Sequence, residues 1–451
     1  MNRGTGVMQD GGSSKGRVDP DFPLTHVPAT ARQGLWSVSI ILLGFTFFTP
    51  TMLAGARLAT AFPFAELLQI IIFGSLLLAG YVGVLSVIGA RTGLTTVLMS
   101  RYTLGHYGAK WADLLLGGTQ VGWYGVTAGV MGSLVAVALG AESIVVTKML
   151  VILAGVLMGI TAYYGYKGME LLSAVSVPLL LIMAVWVTLR AVAEVGGWTG
   201  LLAMQPQNSM SLAAAITVIV GTFASGGTQA PNWTRFARTS GIAFWAAVIA
   251  FLFGNGAMLF FGAVGSTAYP DSQGDFVNIL YEMGLIVWGV IFLVLNLWTT
   301  NDNAAYAFGV AGAEFFNVPN KKPFVVAGVA IGTLLAVAGI DQALIPWLVA
   351  LGVLIPPLGG AIIGDYFFVW RQQLPSLDRV QFRAVRWDAV LAYLLGTEAA
   401  QWSSSAGILV PPLVGIVIAA LAVPALRAVF LGLGRAQDHR IAEEPIPPEP
   451  A

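Results

Sequence analysis

Twelve apolar runs of about 20 residues each constrain this chain more than any other feature, because a run of that length spans the hydrocarbon core of a bilayer. They lie at Leu35–Thr60, Phe64–Ala90, Ala112–Gly140, Ile144–Tyr164, Leu171–Val195, Ser211–Pro231, Ile242–Val264, Leu285–Phe308, Phe324–Ile340, Ala343–Trp370, Trp387–Ser403 and Ile408–Leu433. Lipid offers no water to peptide groups, so each run is predicted to be helical. The composition agrees. Of 451 residues, 57 % are hydrophobic and 10 % charged, with a mean hydropathy of +0.80, which excludes an ordinary water-soluble domain. The 22 basic and 22 acidic residues balance, so nothing points to a nucleic-acid partner. The absence of cysteine removes disulfides and thiolate metal sites.

Charge placement orients the runs. With the N-terminus inside, all of the basic residues except Arg57, Lys148 and Arg190 fall on the inner side. Miscounting by one run would scatter these clusters over both sides. The expectation is therefore a multi-pass protein of the inner (cytoplasmic) membrane with both termini cytoplasmic. Met1–Gln33 is polar, carries Arg3, Lys15, Arg17 and Arg32, and shows no secretory signal. It reads as a cytoplasmic tail, disordered to about Asp21. The closing stretch RIAEEPIPPEP is too rich in proline and acid to fold.

Two runs are interrupted. The first contains LLGFTFFTP, where Gly44, Thr46, Thr49 and Pro50 weaken the helix; the sixth contains VGTFASGGTQAP, with Gly221, Gly226, Gly227 and Pro231. These runs head two five-run halves, so the breaks correspond, as in transporters built from inverted repeats. Glycines that merely let helices approach are the alternative. In the third run Gln120 and Trp123 are three apart and share a helical face. An amide and an indole together suit a planar, neutral, hydrogen-bonding heterocycle, or else an interhelical hydrogen bond beside an aromatic.

The eighth run is the most polar: VLNLWTTNDNAAYAFG. Asn296, Thr299, Thr300 and Asn303 recur at i, i+3, i+4 and i+7, so they form one stripe. Neutral oxygen donors suit a hard, weakly held monovalent cation, and carbonyls freed at the break near Gly44 would complete such a site. A stripe of interhelical hydrogen bonds is the alternative. The runs show no HExxH and no clustered acids for a membrane enzyme. Their polar groups gather at one depth in four runs, unlike the continuous lining of a channel.

Six stretches, LLGFTFF, RTGLTTVLMSRYTLG, LLLGGTQVGWYG, GTFASGGTQAPNWTRF, NLWTTNDNAAYA and IPPLGGAIIGDYF, resemble bacterial cytosine permeases of the nucleobase–cation symport (purine/cytosine permease) family. The resemblance runs from about Arg32 to Phe430 in order. It implies an all-α membrane protein of twelve transmembrane helices with a LeuT-type 5+5 inverted repeat, helices 1 and 6 discontinuous. The divisions are a tail at 1–33, repeats at 34–200 and 201–370, two further helices at 371–433 and a tail at 434–451. It implies secondary active import of cytosine or a close relative, coupled to sodium by alternating access, with no other cofactor, no enzymatic activity and a monomeric state. Proton-coupled transport of hydroxymethylpyrimidine, uracil or a purine is the alternative. By resemblance the base lies between Trp123 and Phe223, bonded by Gln120, Ser225, the backbone near Gly226, and Asn301. Sodium takes carbonyls near Gly44 and Phe47, the carbonyl of Asn296, and the hydroxyls of Thr299 and Thr300. Gly226 stands where alanine is common, which leaves the choice of base open.

Other ionisable groups read as structural. Asp302 is taken as a hydrogen-bond acceptor facing Arg235 or Arg238, with carriage of a coupling proton as the alternative. Asp365 and Glu66 are placed at interfaces near run ends, and His26, His106 and His439 in polar segments.

Overall fold

The computed structural model describes residues 19–141, 143–269, 283–284, 286–340 and 350–444. Residues 1–18 of the N-terminal tail, the start of the tenth run and the last seven residues lie outside the described residues. Helices account for most of the described residues: α1 (Leu35–Thr46), α2 (Thr49–Ala59), α3 (Phe64–Thr92), α4 (Thr96–Leu104), α5 (His106–Ala138), α6 (Ile144–Tyr164), α7 (Tyr166–Glu194), α8 (Gly197–Ala203), α9 (Leu212–Thr222), α10 (Ala224–Thr228), α11 (Pro231–Thr234), α12 (Ser240–Ala268), α13 (Ile286–Phe315), α14 (Lys322–Val337), α15 (Ala350–Val369), α16 (Trp387–Ala406) and α17 (Pro411–Gly432). Among the described residues, seven helices are long and apolar enough to cross a membrane, or nine if each bent pair is one span.

Local chemistry sets the ends. Ser211 and Thr239 cap α9 and α12 by accepting from the amides of Ala214 and Ile242, both at 3.2 Å. Helix α3 stops at Gly93, whose φ of +70° suits a residue without a Cβ. Helices α2 and α12 cross through reciprocal glycines: a Cβ on Gly55 would overlap the Leu259 backbone, and one on Gly262 the Met52 backbone. Large apolar side chains such as Ile72, Leu153 and Ile182 are exposed on the outside of the bundle, as lipid contact requires.

One end of the bundle is crossed by the N-terminal segment, described from Asp19, so that Asp19–Asp21 are structured where disorder to about Asp21 was expected. Asp19 and Asp21 are buried against Lys321, whose Nζ lies 2.8 Å from Asp21 Oδ2 and 3.6 Å from Asp19 Oδ1. Arg235 donates to the carbonyls of Asp21 and Phe22 at 2.5 and 2.7 Å. Further on, Val27 N donates to Gly93 O and Arg32 to Ala90 O, both at 2.9 Å, and Gln33 pairs with Ala237. Charge pairing fixes Asp19 and Asp21, at the end of the stretch whose composition reads as disordered.

Two more expectations are corrected here. Asp365 is not at an interface: it is 1 % exposed and paired with Arg386 at 2.7 Å, while Arg386 also holds Asp388 at 2.9 Å. Glu66 is exposed, as expected. The C-terminal segment does fold at its start, since Arg440–Ile441 pair antiparallel with Val380–Gln381. That pairing buries His439, whose ring nitrogens meet Tyr102 O at 2.9 Å and the amide of Arg383 at 3.1 Å. Burial pushes the His439 imidazole down to about 4.

Candidate functional site

The first break starts where Thr46 ends α1. Phe47 (φ −73°, ψ 86°) and Phe48 (φ −134°, ψ 118°) leave helical geometry, and α2 resumes at an angle of 58°. Pro50 has no amide hydrogen to give back to the preceding turn, so carbonyls upstream lose their helical donors. Asn296 of α13 fastens the new helix start, its Oδ1 accepting from Thr49 N at 2.9 Å and Thr49 Oγ at 2.7 Å. The freed carbonyls of Gly44, Phe45 and Phe47 lie 3.4, 3.4 and 3.2 Å from Thr300 Oγ, with Asn296 O at 3.2 Å. A hydroxyl has one hydrogen, so three of these four acceptors stay unserved by it.

Thr299 Oγ lies beside them, 3.0 Å from both Leu295 O and Asn296 O. The structure thus gathers Gly44, Phe47, Asn296, Thr299 and Thr300 into one neutral cluster of oxygens. It adds two members that sequence reasoning missed, the Phe45 carbonyl and Ser173 of α7. The Ser173 hydroxyl is buried without a partner, and a Cβ on Gly44 would overlap it. No spacing rule links Ser173 to the first run, so only the packing of α1 on α7 reveals it.

The second break falls at Phe223 (φ −132°, ψ 24°), where α9 meets α10 and α11 at 59°. Together the breaks frame a cavity lined by Phe45, Phe48, Gln120, Trp123, Phe223 and Asn301, with Gly226 and Thr300 completing it. It holds about 20 Å³ of open space, room for about one water. The Phe48 ring stands edge-on to both Trp123 (5.5 Å between centroids) and Phe223 (5.9 Å). A planar ring can enter between Trp123 and Phe223 only when Phe48 withdraws. The doubled phenylalanine in FTFFTP was the available signal for Phe48. Gly226 matters by its lack of a side chain, since a Cβ there would come within 2.5 Å of the Phe45 ring.

Ser225 stands behind Gln120 rather than on the cavity wall, 3.1 Å from Gln120 Nε2 and 2.8 Å from Thr119 Oγ. Asn301 donates to Tyr124 O at 3.2 Å and keeps its buried Oδ1 unpartnered. Asp302 faces neither expected arginine. Arg235 is committed to the N-terminal segment and to Tyr306, and Arg238 donates to Arg32 O. The Asp302 carboxylate, fully buried, accepts from Asn303 Nδ2 at 3.0 Å through Oδ1, and its Oδ2 has no hydrogen-bond partner among the described residues. Among the described residues no three acids or histidines gather to hold a metal, and Glu314 of α13 is paired with Arg101 and Lys110.

Interrupted helices that meet at a small buried cavity of aromatic rings and a few polar groups, inside a bundle of membrane-length helices, define a secondary-transporter fold. Comparison with known proteins carries this further. Residues 26–419 match the family described as permeases for cytosine/purines, uracil, thiamine and allantoin, and the chain belongs to that family. It is 35 % identical over 384 residues to the cytosine permease of Escherichia coli (strain K12), covering 85 % of this chain and 90 % of that one. Among solved structures it resembles Mhp1, a nucleobase-cation-symport-1 family transporter, in a closed conformation with bromovinylhydantoin bound. That match has a TM-score of 0.78 at 17 % identity and covers 92 % of this chain and 96 % of Mhp1. The inward-facing conformation of Mhp1 matches with a TM-score of 0.75, covering 93 % and 96 %. The fold is therefore of the LeuT type shared by these neighbours, and the chain is a multi-pass membrane transporter, not an enzyme.

Proposed function

We propose that this protein is a secondary active transporter that imports cytosine, or a closely related nucleobase, coupled to sodium by alternating access. The observation that carries the reading is Thr300, which lines the cavity and is at the same time the point on which four carbonyl oxygens converge. The cluster has more acceptors than hydrogens and no carboxylate, which suits a monovalent cation that must also leave. Sodium there ties the α1–α2 break to α13 and sets the cavity wall, while Trp123 and Phe223 stack on the base once Phe48 has moved. Gln120 and Asn301 read its polar edge. By linkage each ligand strengthens the other, typically by about 1–3 kcal/mol.

The same reading takes the two bent pairs as single spans and counts twelve in two inverted five-helix repeats plus α16 and α17. Both termini are cytoplasmic in the inner membrane, and the unit is a monomer. The cytosine permease name of the relative and the hydantoin ring seen in Mhp1 both support a flat, hydrogen-bonding substrate. The test is radiolabelled cytosine uptake into proteoliposomes with an inward sodium gradient, against choline at matched pH. Sodium-driven accumulation is expected, lost in Trp123→Ala at every sodium concentration. Uptake that follows only a proton gradient would overturn sodium coupling and move that role to Asp302.

A further inference from the structure

We propose that Thr119 is a positioning residue: it sets the direction of a buried hydrogen-bond chain, turns the Gln120 carbonyl oxygen toward the cavity, and so selects bases that present an exocyclic amine. This rests on the nucleobase reading above. The chain begins at a group that can only accept. Thr119 Oγ lies 2.9 Å from the carbonyl of Leu116 in its own helix, and a carbonyl has no hydrogen, so the Thr119 hydrogen points there. Thr119 Oγ then has only lone pairs for Ser225 Oγ at 2.8 Å, the shortest contact that Ser225 makes.

Gln229 closes off the other direction. Its Nε2 faces two carbonyls, Leu116 O at 3.3 Å and Ser225 O at 3.4 Å, so the amide nitrogen must be on that side. The same nitrogen lies 3.4 Å from Ser225 Oγ and approaches it as a donor. The Ser225 hydrogen is left with Thr119 as its acceptor, and Ser225 Oγ must accept from Gln120. Gln120 therefore gives its Nε2, at 3.1 Å, and keeps its carbonyl oxygen for the cavity that it lines. Four groups point one way, from Gln120 through Ser225 and Thr119 to Leu116, and such chains reinforce themselves. Thr119, Ser225 and Gln229 are all buried, so water does not compete for these bonds.

Removing the Thr119 hydroxyl reverses the logic. In Thr119→Val, nearly isosteric with threonine, the Ser225 hydrogen loses its acceptor and turns to Gln120. The Gln120 amide flips, and its Nε2 faces the cavity in place of its oxygen. A base with an oxo group at that edge is then favoured over one with an amine.

The experiment measures the apparent affinities for cytosine and uracil by competition in proteoliposome uptake, for the wild type, Thr119→Val and Thr119→Ser. The wild type prefers cytosine. Thr119→Val lowers the cytosine-to-uracil ratio by at least about tenfold, since mismatched buried polar groups discriminate strongly. Thr119→Ser keeps the wild-type ratio. A Thr119→Val protein that weakens both bases equally, ratio unchanged within about twofold, overturns the inference, because a merely structural role predicts that result. If Thr119→Val is not recovered folded, the wild type decides with pyrimidin-2-one, which lacks the amine. Affinity equal to that for cytosine overturns the inference, and a loss of about tenfold or more supports it. A wild type that takes up neither cytosine nor uracil overturns the cytosine reading and this inference with it, whereas cytosine uptake with an unchanged Thr119→Val ratio overturns this inference alone.

Discussion

Two regions of this molecule bury many polar groups, and they do so in opposite ways. At the end crossed by the N-terminal segment the buried groups carry full charges, and each cation is shared by two carboxylates: Lys321 by Asp19 and Asp21, and Arg386 by Asp365 and Asp388. At the break between α1 and α2 the buried groups are neutral and acceptors outnumber hydrogens, with four carbonyls on one hydroxyl. A buried ion cluster carries its own counter-charge, and removing the cation strands its carboxylates. A surplus of neutral acceptors is incomplete by construction and gains from a guest that brings positive charge. The first arrangement holds structure; the second receives a ligand.

The contrast can be broken at its strongest point first. Arg386→Met should strand two buried carboxylates and cost about 3–5 kcal/mol, read as a fall in thermal unfolding temperature in detergent. A loss below about 1 kcal/mol would mean that Asp365 and Asp388 are not held by that pairing. Thr300→Val should behave in the opposite manner, leaving the unfolding temperature without sodium nearly unchanged. Its sodium-dependent thermal shift, with choline as the control, should need at least about tenfold more sodium, an effect of about 1.4 kcal/mol. An unaltered sodium titration would remove the cation from the α1–α2 break.

The smallest change per step of the titrant sharpens the comparison at the C-terminal segment. The His439 imidazole, held down to about 4 by burial, is neutral in the folded protein at a pH where the unfolded chain carries a proton. The unfolded state therefore binds more protons between its ordinary value near 6.5 and about 4, and stability falls as pH falls through that window. The slope should be at most about 1.4 kcal/mol per pH unit, and His439→Gln should flatten it. An identical pH profile in the variant would place the acid sensitivity elsewhere.

Much of the fold and part of the site were legible in order along the chain. Run length and apolarity locate helices without any tertiary information, because a bilayer leaves the backbone no other way to satisfy itself. Glycine and proline near Gly44, Pro50 and Gly226 mark the breaks, since they weaken a helix wherever it lies. The i, i+3, i+4, i+7 spacing from Asn296 to Asn303 puts the oxygens on one helical side by geometry alone. Such features depend on neighbours within about eight positions, so the sequence by itself determined them.

What joins distant segments was decided only by the tertiary structure. Ser173 meets Gly44, and Phe48 enters the slot between Trp123 and Phe223. Asp302 meets Asn303 and neither expected arginine, and Asp19 and Asp21 become structural only because Lys321 comes within reach. Composition assigned the chain up to about Asp21 to disorder because its own residues cannot offset the entropy of ordering it. A counter-charge about 300 positions along the chain supplies that stabilisation. The direction of the Gln120 amide is the finest case. Its own sequence neighbours allow both orientations, and the choice comes from Ser225, Gln229 and a backbone carbonyl that has no hydrogen to give.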